Sequence, residues 1–425
     1  MTRASYRSLL LGMVVGFFSG RPALGQISSE EPPSGRTLPV TEQVEQEMAT
    51  ARYRLGPIRL LPFFKLRDMG WTNNALASSE GTIDDYTASV SAGARLIVPF
   101  GRKVFLRGNL APAYDWYYRT EDLRGFGGDY SGEVLGLFNR LTVGAEGRYS
   151  ERISTVSSEV ARDVFNTTTH AIAKAEVRIL ERLALFGGVE SAKFAQKDPN
   201  ASTPGLAPVS ALDRTETAYR AGLRYTFSSV LSFGLMGEEV GARFDEDGRL
   251  RDNDVRGILF VARYDRERFY VEATVGVREG RGVVPNEYFP EFRTGSYGYF
   301  VSYFISRKLE LQGLGSRRPV ASLFLDNPYY FETRNGAVVR LAVGHRLGLF
   351  VSGELGSNRY VNPVLETATG EIVTRVDDTR RFGGGFDLAV SRALRVGLSV
   401  NQVRYESNID YYDRKTLQIS GGLTI

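Results

Sequence analysis

Charged side chains at alternate positions are the first feature of this sequence that could do chemistry. Lys174, Glu176 and Arg178 alternate with Ala175 and Val177. Successive side chains of a β-strand point to opposite faces, so the charges would share one face and the apolar residues the other. A Lys or Arg facing lipid at the centre of a membrane costs about 2–4 kcal/mol. The charged face must therefore look into water or pair with opposite charges.

The same alternation selects fourteen candidate residues for the wall of a lumen. They are Arg95, Arg107, Glu146, Arg148, Lys174, Glu176, Arg178, Arg220, Arg224, Glu238, Glu272, Arg340, Glu354 and Asp387. Their signs are mixed. The sequence therefore leaves two interpretations open: ion-paired ladders that fill the interior, or the lining of a selective pore.

The residues available for catalysis or metal binding are few. Only two histidines exist: His170, expected near the extracellular end of a strand, and His345, expected in a short turn. A Ser-His-Asp arrangement needs a His beside a positioned Ser, and no motif predicts one. If Asp245 began a calcium loop, the required Gly would fall on Leu250 and the bidentate Glu on Arg256, so the match fails. We predict no catalytic residue, no cofactor, no metal and no enzyme activity.

Composition narrows the class of protein further. The chain has 425 residues, of which 42% are hydrophobic, with 22 Tyr, 25 Phe, 46 Gly and no Cys. Aromatic residues favour strands and the interfacial girdles of membrane barrels. Without Cys there is no disulfide framework and no thiolate metal site. The net charge is +4, and Arg3, Arg7 and Arg21 supply three of those charges near the N-terminus, so a nucleic-acid partner has no global electrostatic support.

The N-terminal region has the pattern of a secretory signal followed by a linker. Residues 1–25 combine a positively charged start, an apolar core at 9–18 and small residues at 23–25. That apolar run is too short for a membrane-spanning helix, which needs about 20 residues. Residues 26–55 are predicted to be a periplasmic linker, with a short helix at 41–52.

An alternating hairpin recurs eight times and organises the rest of the chain. Two copies are ISRKLELQG at 305–313 and VSRALRVG at 390–397; the others occupy 100–108, 138–144, 179–187, 227–234, 264–271 and 344–353. Short polar turns of this kind join antiparallel neighbours. Longer polar connections separate the copies, and this alternation is typical of a transmembrane β-barrel.

We therefore predict a closed antiparallel transmembrane β-barrel over residues 56–425, with about 18 strands and 16 or 20 as alternatives. The first strand is expected at 57–66 and the last at 412–425. The barrel should lie in the bacterial outer membrane. Its long loops should face the cell exterior, and its short turns and both termini should face the periplasm. The predicted loops cover residues 67–84, 120–128, 154–166, 197–214, 245–253, 280–293, 321–333, 362–378 and 408–410.

Two soluble β architectures are the alternatives to a barrel. A sandwich also alternates apolar and polar residues, but it does not require a long loop at every second connection. A propeller repeats every 40 residues or so with four strands per blade, whereas each repeat here holds two strands of about a dozen residues. Residues 128–139 and 254–265 carry apolar side chains on both faces, which indicates that a loop or the N-terminal segment packs inside.

Two stretches resemble a known family of membrane proteins. They are LPFFKLRDMGWTNN at 61–74, a Pro-led strand followed by a loop, and residues 86–118, where VPFG lies between two strands. Both are similar to outer-membrane β-barrel porins of the type that accompanies exopolysaccharide export (β-barrel porin 2 type). One departure is the C-terminus, where Ile425 replaces the terminal aromatic residue of many outer-membrane barrels.

The residues and the resemblance together give the expected function. We expect a passive pore or conduit for polar solutes or exported polysaccharide. The alternative is a non-conducting structural or docking barrel with a plugged, charge-paired lumen. Expected partners are outer-membrane lipid and lipopolysaccharide, the barrel-assembly machinery and, from the resemblance, components of polysaccharide export.

Overall fold

The part of the chain that the structure covers begins at residue 40. The computed structural model describes residues 40–425 except 77–81, 156–158, 160–162, 198–208, 246–249, 285–287, 325–326, 366–369, 392 and 410–411. The predicted signal at 1–25 and the first part of the linker lie outside the described residues, as does most of the acidic turn after Asp245. Within the described part, no helix is both long and apolar enough to cross a membrane.

Eighteen antiparallel strands form a closed ring, which confirms the predicted barrel. Each strand from β2 to β19 pairs with the next, and β19 pairs back with β2. A three-residue strand, β1 (Tyr53–Leu55), pairs with the start of β2. The barrel strands are β2 Ile58–Thr72, β3 Asp85–Phe100, β4 Val104–Tyr117, β5 Gly125–Leu137, β6 Leu141–Thr155, β7 Asp163–Arg178, β8 Leu183–Lys197, β9 Arg214–Thr226, β10 Leu231–Phe244, β11 Asn253–Arg266, β12 Phe269–Gly282, β13 Phe292–Phe304, β14 Leu309–Ala321, β15 Tyr329–Val343, β16 Leu347–Leu365, β17 Ile372–Ala389, β18 Arg395–Ser407 and β19 Arg414–Thr424.

The connections differ in length between the two ends of the barrel. At one end, which we call the short-turn end, eight connections of two to five residues join the strands. At the other, the long-loop end, nine connections have six to sixteen residues. Gly101 and Gly344 adopt φ of 68° and 67° in two of the short turns, a conformation that glycine reaches without steric cost.

The two faces of the barrel have opposite character. The outer face exposes large apolar side chains, such as Ile258 at 67%, Val351 at 66% and Val275 at 55%. On the inner face, Phe300 is 1% exposed and Glu332 is 2% exposed. Hydrocarbon is the solvent that suits such an exterior, and the closed ring leaves no unpaired strand edge.

A β-bulge in β2 corrects the predicted end of the first strand. Arg67 pairs with Ser89, yet the next pair along β3 involves Gly70, so β2 holds an extra residue. Asp68, at φ 52°, lies in this bulge. The bulge shifts the inward-facing positions from odd to even numbers. Because the alternation fails there, the sequence pattern stopped at residue 66, while the strand continues to Thr72. The last strand also differs, since it spans Arg414–Thr424 rather than 412–425.

A helix, α1 (Val40–Thr50), lies inside the barrel near the short-turn end. Its Val44 is 2% exposed and packs in a cluster with the inward-facing Ile97, Phe105 and Leu135. The helix was predicted at 41–52 in the linker, but its position against the barrel wall was not. The inward Leu135 also explains why residues 128–139 are apolar on both faces.

Candidate functional site: the charged inner wall

The strand registers place all fourteen predicted lumen residues on the inner face of the barrel. Paired residues in antiparallel strands lie on the same face, so one assignment propagates around the ring. Glu238, for example, pairs with Arg220 on one side and with Gly257 on the other. That these side chains contact a solute stays a prediction.

Four charged residues and His170 form a band across β7 to β12, which we call the charge belt. His170 Nε2 lies 2.5 Å from Glu190 Oε1, and Arg220 Nη1 lies 2.5 Å from Glu190 Oε2. Arg220 Nε then approaches Glu238 Oε2 at 3.6 Å, and Arg278 Nε lies 2.5 Å from Glu238 Oε1. Carboxylates therefore alternate with basic side chains around about a third of the wall.

The charge belt contains residues that the sequence analysis placed wrongly or missed. His170 was expected near the extracellular end of its strand, but it lies in the middle of β7 and binds Glu190, not a serine. Glu190 and Arg278 were not among the candidates. Arg278 has the same parity as the candidate Glu272 on β12. No candidate lies on β8, where Phe186 and Phe194 point inward together with Glu190 and obscure the polar face.

A second group of paired charges lies nearer the short-turn end. Glu133 and Glu146 are directly opposite each other on β5 and β6. Arg107 Nη1 approaches Glu133 at 2.7 Å, Lys174 Nζ approaches it at 3.8 Å, and Arg148 Nη2 binds Glu146 at 2.7 Å. These cations offset the repulsion that two facing carboxylates would otherwise produce.

Helix α1 joins this group through one carboxylate. Arg107 Nε donates to Glu47 Oε2 at 3.0 Å, and its Nη2 donates to the other oxygen at 2.5 Å. The bidentate geometry fixes the guanidinium between the helix and Glu133 on β5. One wall cation therefore holds the helix in the lumen.

The remaining candidates have varied surroundings. Arg224 binds Glu176, and Arg381 lies 3.8 Å from Glu354. Glu272 accepts a hydrogen bond from Tyr270. Oδ1 of Asp387 is buried without a hydrogen bond, and no ion pair is seen for Arg178 or Arg95 within the described ranges. The inner wall therefore contains both paired and unpaired charges. Neither an interior filled by ion pairs nor a pore lining of unpaired charges describes it alone.

Loops from distant strands meet at the long-loop end. Glu159, between β6 and β7, accepts hydrogen bonds from Ser322 Oγ and Leu323 N, both at 2.6 Å. Arg251, between β10 and β11, donates to Ser322 O at 2.7 Å and to Ala211 O. Ser322 lies in the connection that follows β14, seven strands away from β7. These contacts therefore cross much of the barrel mouth.

The charged groups in these loop contacts are almost fully buried. Arg251 is 0% exposed and Glu159 is 5% exposed. Burial raises the pKa of the Glu159 carboxyl, and burial lowers the pKa of the Arg251 guanidinium. Both shifts reflect the cost of holding a charge away from water.

Aromatic side chains lie on the outer face near both ends of the barrel. At the short-turn end, the ring of Phe269 lies 5.8 Å from that of Tyr264 and 6.0 Å from that of Tyr303. At the long-loop end, Trp116 and Tyr118 are 6.1 Å apart. Aromatic girdles of this kind mark the two interfaces of a membrane.

The described residues include no group of acidic residues or histidines placed to hold a metal ion.

Comparison with known proteins identifies the fold but no sequence family. No protein-family model matches the chain, and no curated protein matches its sequence. Among solved structures, the outer membrane protein opdK from Pseudomonas aeruginosa has a TM-score of 0.50 and 10% identity, covering 86% of this chain and 98% of that one. A BenF-like porin from Pseudomonas fluorescens Pf-5 has a TM-score of 0.49 and 9% identity, with 85% and 97% covered. At such low identity, the likeness to opdK shows the fold alone.

Proposed function

We propose that this protein is a passive channel for small polar solutes in the bacterial outer membrane. The observation that carries the proposal is the closed 18-stranded ring with apolar side chains outside and charged side chains inside. A cylinder of this construction satisfies every strand edge in lipid and offers a hydrated path through its centre. The likeness in fold to the outer membrane protein opdK supports the proposed location.

The orientation of the barrel in the membrane follows from the general construction of bacterial outer-membrane barrels. Barrels of the bacterial outer membrane have short periplasmic turns and longer extracellular loops. We therefore place the short-turn end, with helix α1 and the C-terminal strand, in the periplasm. The contacts of Glu159 and Arg251 then lie at the extracellular mouth.

Conductance in planar lipid bilayers tests the proposal. The full-length protein, purified in detergent, should give discrete current steps in potassium chloride. Arg178→Ala removes an inner-wall cation near the short-turn end, and Arg224→Ala removes the partner of Glu176. Both changes should alter the ratio of chloride to potassium permeability. A correctly folded protein that inserts into the bilayer without conducting would reject the channel.

A non-conducting docking barrel is the second candidate, and specific observations favour it. Helix α1 occupies part of the lumen, the charge belt pairs its charges, and loops meet across the extracellular mouth. In this form the exposed loops would be the binding surface. It predicts no current from the wild type and none after the helix is released from the wall.

Conduction of an exported polysaccharide is the finer form of the proposal. It rests on the resemblance of residues 61–74 and 86–118 to porins that accompany export, and no comparison supports it. Deletion of the gene in its host should then abolish secreted polysaccharide while leaving the uptake of small solutes unchanged. The opposite result would favour the general solute channel.

A further inference from the structure

Three cations without carboxylate partners lie together on the inner wall next to the strand pair that closes the barrel. Lys65 and Arg67 are on β2, and Arg95 is on β3. The registers place all three on the inner face, where Lys65 pairs with Ser91 and Arg67 with Ser89. In the described part of the chain, none of the three forms an ion pair or a hydrogen bond through its side chain.

One aromatic ring holds two of these cations. Lys65 Nζ lies 4.8 Å from the centroid of the Phe63 ring, and Arg95 Cζ lies 5.8 Å from it. The ring crosses Gly93 on the neighbouring strand, where an added Cβ would come within 2.8 Å of Phe63 Cζ. The same Cβ would lie 2.1 Å from Leu110 O, so only glycine fits beneath the ring. Cation–π attraction gathers the two positive groups over the ring.

This arrangement contrasts with the rest of the inner wall. Most inner arginines face a carboxylate at ion-pair distance, as Arg220 faces Glu190. Here the cations repel one another instead, because Lys65 lies within electrostatic range of Arg95 and Arg67. Arg67 Nε is buried and has no hydrogen-bond partner. A group of like charges with an unsatisfied donor is stabilised when an anion binds.

The neighbouring groups do not neutralise the three cations. Asp115 is an inward carboxylate on the next strand, paired with Ser89, and it forms no ion pair with the cluster. Arg152, the other cation near Lys65, is already bound to Asp129. On the opposite side, β19 offers the uncharged Thr424 beside Lys65. With three cations against the single carboxylate of Asp115, the net charge of this wall segment is positive.

We propose that Lys65, Arg67 and Arg95, gathered over Phe63, form a binding site for small oxyanions, either carboxylates or phosphate. Arginine guanidinium groups and a lysine ammonium donate charge-assisted hydrogen bonds to both kinds of oxyanion. Transport of the bound anion rests on the proposed channel function, whereas binding itself does not. The site therefore names a solute class for the channel.

Calorimetric titration of the detergent-solubilised full-length protein tests the binding. Sodium succinate and inorganic phosphate are titrated separately into the wild type and into the triple variant Lys65→Gln, Arg67→Gln, Arg95→Gln. At least one anion should bind the wild type, and the triple variant should lose at least about tenfold in affinity. Binding of succinate alone assigns carboxylate solutes, and binding of phosphate alone assigns phosphate.

A matched variant controls for the loss of three positive charges. Arg243→Gln, Arg256→Gln and Arg293→Gln remove three arginines of the outer face, each paired with its own carboxylate. This control should bind the anion like the wild type. The single variant Arg95→Gln tests the site with the smallest change and should weaken binding about fivefold or more. No binding to the wild type, or equal binding to the triple variant and the wild type, overturns the proposal.

Bilayer currents separate the two proposals. If the protein conducts, the bound anion should interrupt the chloride current of the wild type but not that of the triple variant. Anion binding without any current would reject the channel and keep the site. Current without anion binding would reject the site and keep the channel.

Discussion

Glu238 and Glu239 are neighbours in sequence, yet the barrel gives them opposite surroundings. The Glu238 side chain is 0% exposed and pairs with the buried Arg278, while Glu239 is 49% exposed and pairs with Arg256 outside. Removing one partner of a buried ion pair leaves an uncompensated charge and costs about 3–5 kcal/mol. We expect Glu238→Leu to lower the free energy of unfolding in urea by this amount.

Glu239→Leu is the matched control for that measurement. An exposed ion pair contributes little to stability, so this variant should unfold close to the wild type. If Glu238→Leu costs no more stability than Glu239→Leu, the stronger stabilising role given to the buried pair is wrong.

Asp213, in the loop before β9, predicts a pH dependence of stability. Burial raises the pKa of its carboxyl to about 6 from the ordinary 3.8, although Gln196 N donates to its Oδ1 at 2.7 Å. The native state therefore holds this proton more tightly than the unfolded chain. The resulting stability is complete below about pH 4 and is lost as the pH rises through 6.

Asp213→Asn should remove that loss, because the amide oxygen still accepts the hydrogen bond and carries no charge. The variant should melt at the same temperature as the wild type near pH 3.5 and at a higher temperature at pH 7.5. Asp122→Asn changes an exposed loop carboxylate and should show no such difference. A constant gap between Asp213→Asn and wild type across this pH range would contradict the assignment.

At the scale of elements, helix α1 occupies part of the lumen, and one substitution should release it from the barrel wall. Val44→Asp would bring a carboxylate into the cluster of Ile97, Phe105 and Leu135. Burying an unpaired charge there costs more than the helix gains by docking. We expect the helix to leave the wall and the single-channel conductance to rise. Thr41→Asp adds the same charge on an exposed position of the helix and should leave the conductance unchanged.

How much the sequence could predict depended on the range of each interaction. Strand parity is a local property, so it placed Arg95, Arg340 and the other candidates on one face. Partners depend on register between strands, so the approach of Arg278 to Glu238 could not be predicted from either strand alone. Helix α1 was predicted by its local composition, but its contact with Leu135 joins elements about 90 residues apart.

For the whole molecule, the central prediction is that the outer face contacts hydrocarbon. Val275 points outward on β12 between its two ends, and Val275→Arg would place a cation in the apolar band. We expect a loss of about 2–4 kcal/mol in unfolding free energy in lipid vesicles. Val283→Arg makes the same change just beyond the strand and should cost less than about 1 kcal/mol. Equal tolerance of both would contradict the membrane assignment.

The bulge at Asp68 has a consequence for how this chain can change in length. Below it, Lys65 and Arg67 face the lumen; above it, Gly70 and Thr72 do, and Trp71 faces outward. Deleting one residue there would turn the indole toward the channel and the threonine toward lipid, and would misalign both neighbouring strands at once. Homologous chains should therefore gain or lose residues freely in the long loops, but keep the residue count of this strand constant.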